Sequence, residues 1–189
     1  MANPTYISSE YVASGGNATI PANCDLVVAG YASAAPALGG VAMTTCGGSS
    51  GMYYTESPAT GVKAVSGANV LLLYFYNGIG GLKDADGGVA GSGSYQVTEI
   101  CPATCVVVGK ASGTVGGIEN IGINIAGTGS TTVWTSGLIR VAYAALSAAD
   151  PLCTAVDNGP SGTVTGGFAC FDFSAPPSTS QILTPMWFL

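Results

Sequence analysis

The sequence has no histidine and very little charge. Lys and Arg number 4 and Asp and Glu 10, and charged residues make up 7% of 189, against about a quarter in an average soluble domain. Without imidazole there is no Ser-His-Asp or Cys-His triad, no histidine-ligated zinc and no histidine general base. The 4 cations cannot neutralise a row of phosphates, so a nucleic-acid surface is excluded. Long hydrophobic runs are also missing. The longest, Val-Leu-Leu-Leu-Tyr-Phe-Tyr over residues 70–76, is far short of the roughly 20 residues of a spanning helix, so no membrane span is expected. No window carries a clean helical period between caps, which argues against bundles and coiled coils. The opening Met-Ala-Asn-Pro-Thr-Tyr has neither the basic nor the apolar part of a secretory leader. That predicts synthesis in a cytoplasm with the thiols reduced.

What is abundant is β-forming sequence cut by glycine. Hydrophobic residues make up 48%, with Gly 29 and Pro 10. Short runs rich in Val, Ile, Thr, Tyr and Phe alternate with Gly, Ser and Asn clusters. They predict strands over 5–12, 18–21, 26–32, 41–45, 51–56, 70–76, 95–100, 106–110, 118–126, 131–135, 138–145, 162–165 and 168–173. Only 142–149 offers a helical turn. The fold class read from this pattern is all-β: an antiparallel, jelly-roll-like β-sandwich over residues 1–173, followed by an extended arm over 174–189. Two segments look alike, 24–32 and 136–144. Each is a polar turn followed by an apolar strand ending near a Tyr, read either as an echo of a two-fold strand arrangement or, in preference, as two central strands under one packing rule.

The arm starts with Ser174-Ala175-Pro176-Pro177 and ends in Ile182, Leu183, Thr184, Pro185, Met186, Trp187, Phe188 and Leu189. A polar, Pro-containing stretch is extended and packs poorly on its own. An apolar end must be covered, either by folding back as an edge strand or by docking on a neighbouring subunit. On the second reading Pro176, Pro177, Ile182, Leu183, Pro185, Met186, Trp187, Phe188 and Leu189 are the partner-binding residues.

The residues that carry chemistry in other proteins do not assemble here into a site. The six cysteines are Cys24, Cys46, Cys101, Cys105, Cys153 and Cys170. A four-cysteine zinc site needs two close pairs, and only Cys101 and Cys105 are close, so buried small hydrophobes are expected for most of the six, while whether any are paired, and how, is left open by the sequence. Asp84-Ala85-Asp86-Gly87-Gly88 resembles the start of a calcium loop but lacks its closing glutamate, and reads as a solvated hairpin tip. Nothing local picks a catalytic pair from Glu10, Glu56, Glu99 and Glu119. Gly47-Gly48-Ser49-Ser50-Gly51 spells a nucleophile elbow without a base and reads as a turn. No catalytic residue, no metal and no cofactor is expected. Tyr53, Tyr54, Tyr74 and Tyr76 place rings on both faces of their strands. One face is core and the other is a candidate surface for a protein partner or a sugar ring.

Leu38-Gly39-Gly40-Val41-Ala42-Met43-Thr44, the Met52-Tyr53-Tyr54 strand after it and the apolar arm resemble the small β-sandwich structural proteins of tailed bacteriophages. The resemblance implies a non-enzymatic virion protein: a capsid decoration (cement) protein, homotrimeric, bound to the major capsid protein on the capsid surface after assembly in the host cytoplasm. The alternative it leaves open is a tail or fibre component that binds host glycans through exposed aromatics. A net charge of −6 would keep free copies apart before assembly.

Overall fold

The structure, a computed structural model, describes residues 5–48, 51–76, 81–91, 93–102, 104–114, 121–127, 130–147, 149–159 and 162–173. Among them every regular element is a strand. The first half holds β1 (Thr5–Val12), β2 (Asn17–Ile20), β3 (Leu26–Ala32), β4 (Ala37–Leu38), β5 (Val41–Ala42), β6 (Thr44–Thr45), β7 (Tyr53–Glu56), β8 (Gly61–Ser66) and β9 (Val70–Tyr76). The second half holds β10 (Gly81–Ala90), β11 (Gly93–Thr98), β12 (Cys105–Gly113), β13 (Ile121–Ile125), β14 (Thr131–Ser136), β15 (Ile139–Leu146), β16 (Leu152–Asp157) and β17 (Val164–Asp172).

The all-β, antiparallel class is as the sequence predicts, but there are four sheets rather than the two of one sandwich. In the first half the orders are β1-β9-β3-β7-β6 and β2-β8-β4-β5, and in the second β10-β17-β12-β15-β14 and β11-β16-β13. The first pair of orders is that of a jelly roll, with the first strand beside the last and the chain alternating between sheets. The second pair repeats it position by position. The pairings β1·β9, β3·β9, β3·β7, β6·β7, β2·β8 and β4·β8 recur as β10·β17, β12·β17, β12·β15, β14·β15, β11·β16 and β13·β16. Only β5 has no counterpart among the described residues of the second half. The look-alike segments fall on β3 and β15, which are not counterparts; β3 corresponds to β12.

The halves are stacked through their five-stranded sheets, giving four layers with three cores between them. The outer core of the first half is built on Val27, Ala29, Leu72 and Tyr74. The middle core joins Leu26, Val28, Leu73 and Phe75 to Val106, Val108, Val141 and Phe171. The core of the second half holds Val107, Ile121, Phe168 and four cysteines. Period-2 alternation therefore sends successive residues of each inner strand into different cores. This explains the unbroken apolar runs. An antiparallel sheet usually keeps one wet face and reads as alternating, whereas residues 26–29 and 70–75 are buried throughout.

Aromatic rings line the seam between the halves. Tyr6 stacks on Tyr143 at 4.5 Å, Tyr31 on Trp134 at 5.1 Å and Tyr11 on Trp134 at 5.5 Å, while Tyr54 meets Phe171 edge-on at 5.6 Å. Strand β1 thus lies over β14 and β15, and β7 over β17. The two sheets run in opposite order across the seam, as in an isologous two-fold contact. Gly30 keeps them close: a Cβ there would stand 2.7 Å from Val141 Cγ1 of the opposing sheet.

Local signals explain both the successes and the misses. Strands 5–12, 26–32 and 70–76 fall where expected. Leu38 pairs with Val41 across Gly39 and Gly40, whose φ values of 58° and 82° are those of a type I′ hairpin. In place of the helical turn expected over 142–149, residues 142–146 belong to β15, because they lie beside β12 and their backbone is completed by the ladder. Strands β4, β8, β10 and β16 were not legible. For β10 the expected hairpin tip is corrected: Asp84-Ala85-Asp86-Gly87-Gly88 lies inside a 10-residue strand that pairs with β17. Its glycines have a packing reason. Gly88 and its cross-strand partner Gly166 form the floor for the Tyr95 ring, and a Cβ on either would stand 2.6 or 2.5 Å from it.

Candidate functional site

The candidate residues of the arm, Pro176 to Leu189, and Glu119 lie outside the described residues. The four tyrosines are in place, and one is corrected. Tyr74 is 1% exposed and turns into the outer core of the first half, where its hydroxyl donates to Glu10 Oε1. Burial and this contact push its hydroxyl pKa up. It offers no ring to solvent, because the strand it sits on is covered on both sides. Tyr53, Tyr54 and Tyr76 are half-buried. The rings that do reach the surface were not singled out in the sequence. Tyr11 is 48% exposed and lies flat on Trp134, with Tyr31 on Trp134 in turn. Three residues distant in sequence make this platform, so no local motif announces it.

The first half carries an open cavity of about 350 Å³, lined by Ile20, Leu38, Val41, Pro58, Glu56 and Lys63. Val41 and Val62 are each 67% exposed on the same outer sheet.

The densest group of reactive side chains lies at one end of the second half. Strand pairing puts it there. Asp84 is opposite Cys170 and Asp86 is opposite Phe168 on the inward face of the sheet, and Cys105 is opposite Asp172. Cys101 and Cys170 form a disulfide, and the Cys105 sulfur lies within 4.8 Å of both sulfurs. Cys24, Cys46, Cys105 and Cys153 are free and buried. Burial, then the carboxylates Asp172 and Asp150, push the Cys105 thiol up to about 11. Burial alone pushes Cys46 up to about 12. These thiols are protonated at neutral pH and pack as small hydrophobes. Among the three sulfurs, the disulfide occupies two.

Glu99 was one of four indistinguishable glutamates in the sequence. In the structure it stands apart, fully buried with neither carboxyl oxygen hydrogen-bonded. It continues the inward face of Tyr95 and Val97 past the end of β11, and that alternation was the signal available in the sequence. Burial, reinforced by Asp84 and Asp86, pushes its carboxyl up to about 8. Asp84 is held beside it by accepting the Ile100 N–H at 2.8 Å and its neighbour's, Ala85, at 3.0 Å. A second buried carboxylate, Asp157, accepts the Gly159 N–H at 2.9 Å and packs on Gly113 and Gly162, leaving Oδ2 without a partner.

The raised Glu99 group sets a pH dependence. An unfolded glutamate ionises near about 4.3, so above that pH the folded state holds a proton that the unfolded chain has lost. Stability from this group is fully present below that value and falls as pH rises toward 8, by at most about 1.4 kcal/mol per unit. The absence of histidine removes the side chain that most often titrates in this interval. Urea unfolding at pH 5, 6, 7 and 8 in EDTA should show this decline, and Glu99→Gln should flatten it. An equal slope in the variant would refute the assignment.

No protein family, curated protein or solved structure matches the chain.

Proposed function

We propose that this chain is a virion structural protein without catalytic activity, a decoration protein that binds the major capsid protein and stiffens the shell. The observation that supports it most is the architecture. Two jelly rolls are fused by an aromatic-lined seam, and most large apolar side chains among the described residues hold layers together. Such a unit is a rigid building block. Jelly rolls recur in viral capsid and lectin domains, and this is an argument by fold-level analogy. The outer sheets add partner surface, with exposed Val41 and Val62 at one end and Ile100 and Leu152 at the other. Self-association as a homotrimer and the arm as a clamp belong to the same proposal. Quantitative mass spectrometry of purified particles tests it. Hundreds of copies per particle are expected, whereas a few dozen would move the protein to a tail, and its absence would end the proposal.

The second reading, a tail or fibre component that binds glycans, is favoured by the Tyr11–Trp134–Tyr31 platform, because aromatic faces stack on sugar rings. A glycan array in which binding is lost on Tyr11→Ala would favour this reading over the first.

A further inference from the structure

We infer that Cys101, Cys105 and Cys170, once the Cys101–Cys170 bridge is reduced, form a three-thiolate site for a thiophilic divalent cation of the zinc class. The three sulfurs, all of buried residues, lie within 4.8 Å of one another. The fold gathers them from three places into the core of the second half. Cys105 opens β12 and Cys170 lies near the end of β17. Across that ladder Cys105 faces Asp172 and Val107 faces Cys170, so the two cysteines are diagonal neighbours on one face. Cys101 arrives from the segment before β12. Its N–H donates to Asp150 Oδ1 at 3.0 Å and its carbonyl accepts the Asp150 N–H at 3.3 Å, which fixes its place. One close pair was visible in the sequence, and the third sulfur comes from 69 residues beyond Cys101.

A bridge uses two sulfurs and leaves the third cysteine without a part in it. Two of the other buried thiols turn to the backbone: Cys24 donates to the Leu26 carbonyl at 3.2 Å and Cys153 to that of Pro151 at 3.6 Å. The Cys105 sulfur instead stands against both bridge sulfurs. Thiolates are soft donors, which select zinc and similar ions over calcium or magnesium. The surrounding charge also calls for a cation. Asp172 and Asp150 both act on Cys105, and a divalent ion offsets most of the charge that three thiolates would add beside them. Lys83, 3.6 Å from Asp172, offsets part of the remainder. Three protein ligands leave the fourth position of a tetrahedral ion to water. The bridge takes two electrons and two protons from a dithiol, which closes to its own disulfide, and the ion then displaces three thiol protons. Bridge and bound ion exclude each other, so the site exists only in reducing surroundings.

The test uses the full chain, reduced with a phosphine that leaves as its oxide, then desalted under argon into chelator-treated buffer. Zinc, read by competition with a chromophoric indicator, should bind the reduced chain in one equivalent and at least about tenfold more tightly than the oxidised chain. It should also raise the unfolding temperature of the reduced chain saturably. Cobalt(II) should give a thiolate-to-metal charge-transfer band that zinc abolishes and calcium does not. Cys105→Ser keeps the bridge and so folds as the oxidised chain. After reduction it should bind zinc at least about tenfold more weakly than the parent. Cys153→Ala and Cys24→Ala should bind as the parent does. Zinc binding that reduction does not strengthen, or a Cys105→Ser protein that responds as the parent does, overturns the site. So does an equal loss in all three variants, the mark of an unfolded chain gathering zinc with whatever thiols it exposes.

Discussion

Replacing Phe75 with alanine should cost about 3–5 kcal/mol, the largest single-residue loss expected in this chain. Phe75 is fully buried at the middle of the seam. Its ring meets Tyr6 at 5.9 Å, Tyr143 at 5.7 Å and Phe173 at 6.4 Å, all edge to face. Truncation removes the transfer free energy of the ring and leaves a cavity that two rigid sheets cannot close. Because the ring touches both halves, the loss should appear as one shifted transition rather than as melting of the first half alone. For a chain of this size the shift is about 6–20 °C. Thermal unfolding followed by far-ultraviolet circular dichroism and by tryptophan fluorescence reads both, since Trp134 sits in the seam. Two separate transitions would show that the halves are not coupled through the seam, and a loss below about 1 kcal/mol would show that Phe75 is not packed there.

Reducing the Cys101–Cys170 disulfide should cost about 4 kcal/mol, by the chain-entropy relation for a loop of 69 residues. The bridge ties the segment before β12 to β17, so the loss falls on the second half. Cys170→Ala should lose the same amount and become insensitive to reductant. Alkylation in guanidine provides the independent check. The oxidised chain should take up label at Cys24, Cys46, Cys105 and Cys153 only, and labelling of all six cysteines would remove the bridge from the account. The sequence left the cysteine pairing open, because spacing carries no information about which strands lie side by side. Cys170 is brought near Cys101 only by the β10·β17·β12 ladder.

Strand content was legible where residues speak for themselves. Val70-Leu71-Leu72-Leu73 and Leu26-Val27-Val28-Ala29 are β-branched or bulky runs between turn residues, and Gly39-Gly40 is a hairpin by its conformational freedom alone. Strand β10 was illegible for the converse reason. Asp84-Ala85-Asp86-Gly87-Gly88 has poor intrinsic β tendency, and it is extended because β17 supplies a ladder and Tyr95 needs a glycine floor. The same holds for Glu99: its burial depends on the packing of a facing sheet, which no local pattern announces. Tyr74 was placed at the surface because a strand in a two-layer sandwich has one outer face. A four-layer stack gives its inner strands none.

The scarcity of charge and the lack of histidine, by themselves, excluded imidazole chemistry and gave the expectation of no nucleic-acid surface, and the short apolar runs gave that of no spanning helix. Together with the period-2 pattern they determined the all-β class. Only the tertiary structure decided that the topology is used twice and that the two copies are stacked seam to seam. It also decided that Glu99 is buried without a hydrogen bond just past the end of β11. The physical reason is that composition and periodicity act along the chain, within a few residues. The stacking of sheets depends on contacts such as Tyr6 on Tyr143 and Tyr11 on Trp134, between residues that share no local pattern.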